Sequence, residues 1–75
     1  MRTLKATFMP EAHHEVRQTD PEKDYWCLYY NGECTFLVMV LVKENNRGWT
    51  FLNHALTGNK TTFFFSRGDF EMVEE

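Results

Sequence analysis

Nucleophilic chemistry in this chain would have to come from Ser66, its single serine, or from Cys27 and Cys34 acting with one of three histidines, His13, His14 and His54. A triad or dyad needs the histidine held against the nucleophile. Read as strands, the segments around these residues put His54 on the opposite sheet face from both thiols, so no Cys–His dyad assembles. His13-His14 beside Glu11 and Glu15 offers nitrogen and oxygen ligands. Neighbouring strand residues point to opposite faces, however, and no zinc spacing is present. The acids gather in polar stretches, Glu11, Glu15, Asp20, Glu22 and Asp24 in one and Asp69, Glu71, Glu74 and Glu75 in the other. There a solvated surface explains them better than paired-carboxylate catalysis. The expectation is a protein that is not an enzyme and that needs no cofactor and no metal.

Two short motifs invite functional readings. Asn59-Lys60-Thr61 matches the glycosylation sequon and Arg67-Gly68-Asp69 matches an integrin-ligand tripeptide. Both require an extracellular protein, and export is not expected, since no positively charged start followed by an apolar h-region is read in the sequence. Each is read instead as turn chemistry, with Gly58-Asn59 and Gly68 supplying turn conformations.

Recognition is the more promising chemistry, because aromatic residues make up 16% of the 75-residue chain. Small sheets and barrels that bind single-stranded nucleic acid stack bases on exposed rings inside a basic groove. Tyr25, Tyr29, Tyr30, Trp49 and Phe51, with Lys5, Lys43, Arg47 and Lys60 around them, would form such a platform. The bases are scattered, though, and the formal net charge is −3 with a pI near 5.5. Tyr and Trp are also enriched at protein interfaces. The preferred reading is therefore a protein-binding or inhibitor-type accessory module with Tyr29, Tyr30, Trp49 and Phe51 as anchors. A single-stranded nucleic-acid-binding small β-barrel is the alternative.

The element that must position these residues runs from Cys34 to Lys43. Phe36 to Val42 is an unbroken apolar, β-branched run, too short for a membrane span of about 20 residues, and it reads as a strand. Its two faces are both apolar, so both need cover. Closing the sheet into a small barrel, laying residues 10–23 over it as a short helix or loop, or pairing with a second copy would supply that cover. All four glycines (Gly32, Gly48, Gly58, Gly68) fall in turns rather than strands. That weighs against barrel curvature and in favour of a homodimer.

Around this strand the chain reads as a meander. Thr3–Phe8 alternates as a first strand ended by Pro10, and Asp20-Pro21-Glu22-Lys23 is a turn. Asp24–Tyr30 and Cys34–Lys43 form a hairpin on Asn31-Gly32, which suits a type I′ turn. Residues 44–48 turn into a strand at 49–56, Gly58-Asn59 turns into a strand at 60–66, and residues 67–69 turn into a short final strand or helical tail. In this register Cys27 faces Phe36 and lies diagonal to Cys34, roughly 7–8 Å away by Cα, which predicts free thiols. The whole, residues 1–75, is expected to be one mostly β domain (β or α+β). It would be a small antiparallel meander of five to six strands with at most one short helix, and cytoplasmic.

Overall fold

The computed structural model describes residues 1–8, 13–53 and 61–75, with the backbone alone at 36–38. Seven strands make one antiparallel sheet: β1 (Thr3–Ala6), β2 (His14–Asp20), β3 (Tyr25–Tyr30), β4 (Glu33–Asn45), β5 (Gly48–Asn53), β6 (Thr62–Ser66) and β7 (Phe70–Glu74). The mostly β antiparallel class is as the sequence indicates. One strand more than expected is present, because His14–Asp20 is fully extended. Its apolar content is low, but Val16 lies buried between Leu4 of β1 and Leu28 of β3, and that placement fixes it as a strand. The only helical element among the described residues is a 3₁₀ turn at Arg67–Asp69.

The spatial order β6-β5-β4-β3-β2-β1-β7 places β6 and β7 at opposite edges. Laid flat, seven strands would separate those edges by about 29 Å, at roughly 4.8 Å per strand. The three-residue turn joining Ser66 to Phe70 reaches about 14 Å at most. The sheet is therefore rolled, with the two edges brought together at the turn but no ladder between them. Curvature comes from irregular register at four places: Thr3/Leu4, Gln18/Asp20, Cys27/Tyr29 and Leu41/Lys43. Of the glycines expected in turns, Gly48 is instead the first residue of β5 and Gly58 lies outside the described residues; bulges bend strands without glycine, so the lack of glycine deeper in the strands is no obstacle to rolling.

The concave side holds the core: Leu4, Ala6, Val16, Trp26, Met39, Trp49, Phe51 and Phe70, with Leu28, Leu41, Phe63 and Phe65 packed against it. Aromatic rings fill the seam where the edges meet. Phe65 lies 4.7 Å from Phe70, Trp49 5.7 Å from Phe70 and Phe8 6.2 Å from Phe65, between ring centroids. One end of the roll is closed by charge. The Arg2 guanidinium donates to Glu44 at 2.7 Å, and Arg67 reaches the same carboxylate oxygen at 3.5 Å while lying 4.2 Å over Trp49. The hydrogen bond from Arg2, helped by Arg67, holds the Glu44 carboxyl below its usual range.

Two turns set the registers of the central strands. Asn31 and Gly32 both take positive φ, 49° and 89°, giving the expected two-residue hairpin with Tyr30 opposite Glu33. At the other end of β4, Asn45 Oδ1 accepts hydrogen bonds from the amides of Arg47 and Gly48. Gly48 has φ of 155°, and a Cβ there would overlap the Phe65 carbonyl oxygen.

The cysteines correct the sequence reading, since Cys27 and Cys34 are joined as a disulfide rather than free. Tyr29 does stand opposite Cys34, as counted, but Cys27 stands opposite Val38 rather than Phe36. Thr35, Phe36 and Leu37 are thus opposite Leu28 alone, and the wide bulge bends β4 there. The diagonal shortens to a Cα–Cα distance of 6.2 Å, inside the span that a disulfide bridges.

Candidate interaction surface

The four aromatic residues expected as anchors do not share a surface. Trp49 and Phe51 are core residues, 2% and 0% exposed, and stand corrected as binding residues. Both meet other rings edge-on, Phe51 against Trp26 at 5.5 Å and Trp49 against Phe70. The cause is a single bulged residue. Lys43 pairs with Thr50 and Leu41 with Phe51, so Val42 has no rung of its own. An unbulged β4 would put Phe51 on the convex side with Val40, whereas skipping Val42 turns it inward beside Met39 and Leu41.

Tyr29 and Tyr30 remain at the surface but on opposite faces, as successive strand residues must be. Tyr29 points outward, half-buried, with the Arg17 guanidinium 4.4 Å over its ring. Arg17 is also bonded to Glu15 at 3.0 Å. Tyr30 is exposed at the end of the inner face, against His14 at 4.8 Å between ring centroids.

What the convex face does present is an apolar ladder across β3, β4, β5 and β6. Tyr25 pairs with Val40 and Val40 with Leu52, giving one row of half-buried apolar side chains. The exposed Val42 and Phe64, at 58% and 60%, flank this row. Thr50 and Thr62 lie between them in the ladder, opposite Phe64 and Leu52. Lys23, 5.8 Å over the Tyr25 ring, and the exposed Lys43 mark the rim. Asp20 of β2, the register partner of Tyr25, adjoins the row at its other end. Alternation could have revealed Tyr25, Val40 and Phe64 as one face, but nothing in the sequence marks Val42 as the bulge that separates them from Phe51.

The other candidates fare differently. Both thiols are consumed by the disulfide, and His54 and the sequon asparagine lie outside the described residues. Arg67 of the Arg-Gly-Asp tripeptide is occupied by Glu44, Trp49 and the Asn45 carbonyl, while Asp69 accepts from the Ser66 amide at 2.7 Å. No group of three His, Cys, Asp or Glu side chains converges among the described residues. Nor is any helix there long and apolar enough to cross a membrane. A cleft of about 370 Å³ between Met1, Thr3, Arg17, Gln18 and Val73 has its one guanidinium already paired to Glu15. No protein-family model matches the chain, and neither a curated protein nor a solved structure resembles it.

Proposed function

We propose that this protein is a non-enzymatic binding module, of the accessory or inhibitor type, whose partner is another protein. The supporting observation is the apolar row of the convex face, Tyr25–Val40–Leu52 with Val42 and Phe64 beside it. Apolar surface of this kind, rimmed by polar groups, marks contact sites on small domains. Tyr29, adjoining the row through the Cys27–Cys34 bridge, keeps the anchoring role expected of it. The burial of Trp49 and Phe51 removes two rings from the stacking platform that a single-stranded nucleic acid would use.

The test compares the native protein with a Val42→Glu/Leu52→Glu double variant in affinity capture from the source cell. A partner retained by the first and lost by the second, with unchanged circular dichroism, supports the reading. Equal capture by both refutes it. Saturable, salt-sensitive binding to single-stranded DNA or RNA would transfer the function to the nucleic-acid alternative. A cytoplasmic location carries a condition, because disulfides persist mainly in oxidising compartments. Thiol trapping in intact cells distinguishes the two settings, labelling both cysteines in a reducing compartment and neither in an oxidising one.

A further inference from the structure

We infer that β6 is a self-pairing edge, through which two copies of this chain join their sheets antiparallel about a twofold axis at Phe64. This pairing does not depend on the identity of any other partner.

The backbone accounting runs along β6. The Asn53 amide donates to the Thr61 carbonyl and the Arg67 amide to the Arg47 carbonyl, and the register between β5 and β6 is unbroken. Residues 61, 63, 65 and 67 therefore direct their amides and carbonyls toward β5, and Thr62, Phe64 and Ser66 direct theirs to the outer edge. No described strand pairs with that edge. The Ser66 amide already donates to the Asp69 carboxylate, and the Ser66 carbonyl, as N-cap of the 3₁₀ turn, accepts the first bond of that turn, which leaves both groups of Thr62 and Phe64 and the second lone pair of the Ser66 carbonyl. This set is complementary to itself. With Phe64 opposite its own copy, the two Phe64 residues exchange two hydrogen bonds, and each Thr62 amide donates to the Ser66 carbonyl of the other copy.

Side chains agree with the backbone. Thr62-Phe63-Phe64-Phe65-Ser66 carries no charge, proline or glycine, the devices by which edge strands are protected. The opposite edge does use them, since β7 has Glu71 and Glu74. Phe64 is the middle residue of β6, so pairing about it aligns all five residues. It would set the two Phe64 rings side by side on the convex face and merge the apolar rows of both copies. On the other face, half-buried Phe63 and Phe65 would meet Phe65 and Phe63 of the mate. Cross-strand aromatic pairs of this kind stabilise sheets.

Sedimentation equilibrium over micromolar to millimolar concentration should give a dimer at twice the 9.0 kDa chain mass. Phe64→Lys, placing like charges directly opposite, should raise the dissociation constant more than about tenfold. Phe64→Cys tests the register without relying on that variant's folding. A hydrogen-bonded rung holds its Cα atoms about 5.5 Å apart, so mild oxidation should give a covalent dimer. Met72→Cys on β7 should remain uncrosslinked. A single species at the chain mass would overturn the inference and leave the edge to an extended strand of another protein. A dimer crosslinked through Met72→Cys but not Phe64→Cys would overturn it as well.

Discussion

Breaking the Cys27–Cys34 bridge should cost this domain a large share of its stability. The cysteines are 7 apart in sequence. Closing a loop of that length lowers unfolded-state entropy enough to stabilise the folded form by about 2.4 kcal/mol at 25 °C. Unfolding entropy for 75 residues is on the order of 160 cal/mol/K. The ratio of the two places the drop in melting temperature near 15 °C. The measurement is thermal unfolding by circular dichroism with and without a phosphine reductant, mass spectrometry having first established the bridge in the untreated protein. Cys34→Ser should reproduce the reduced value, because Cys34 is exposed and the buried Cys27 keeps its sulfur. A shift below about 3 °C would mean that the β3–β4 hairpin is already ordered in the unfolded ensemble, which refutes the loop-closure estimate.

Glu44 should give stability a pH dependence. Its pKa is lowered in the folded state, so its contribution is present above the ordinary glutamate value and disappears as pH falls through the depressed one. Glu44→Gln should remove about 1 kcal/mol at neutral pH and flatten the denaturant midpoint below pH 5, whereas an unchanged acid limb would exclude this carboxylate as the cause. Phe51→Ala should cost roughly 3–5 kcal/mol, close to the whole stability of a marginal small domain, and leave a chain without near-ultraviolet dichroism. Gly48→Ala should cost more than about 2 kcal/mol by urea titration, since the new methyl would meet the Phe65 carbonyl; a neutral result would show that β5 and β6 separate easily there.

The sequence made the strands visible wherever local chemistry decides them. Asn31-Gly32 announced its hairpin through the positive φ that both positions take, and the apolar run of β4 announced itself by composition. Three features escaped. β2 is polar, and its residues read equally as a short helix over 10–18 or as a polar loop extended over 15–19, because its strand form is imposed by β1 and β3 on either side rather than by its own residues. The bulge opposite Leu28 leaves no residue signature, and without it the Cys27–Cys34 diagonal looks too long to bridge. The extra residue at Val42 exchanged faces for Phe51, which is why two of four expected anchors are core while Val42 and Phe64 are outside. Register is a non-local property, and a one-residue slip reassigns every side chain beyond it.

The pairing of β1 with β7 bears on the order of folding. Leu4 and Met72 share a rung although 68 positions separate them in sequence (72 minus 4). Every other strand pair joins chain neighbours. Closing so long a loop costs about 3.8 kcal/mol of chain entropy before any contact rewards it. Hairpins from β1 to β6 can form through local encounters in microseconds, and the β1–β7 seam then sets the rate. Mutations such as Met72→Ala should therefore slow folding, because they weaken the contact whose formation sets the rate, with a smaller effect on unfolding. In native-state hydrogen exchange, the amides of Lys5 and Glu71 should open at lower free energy than those of Trp26 and Phe51.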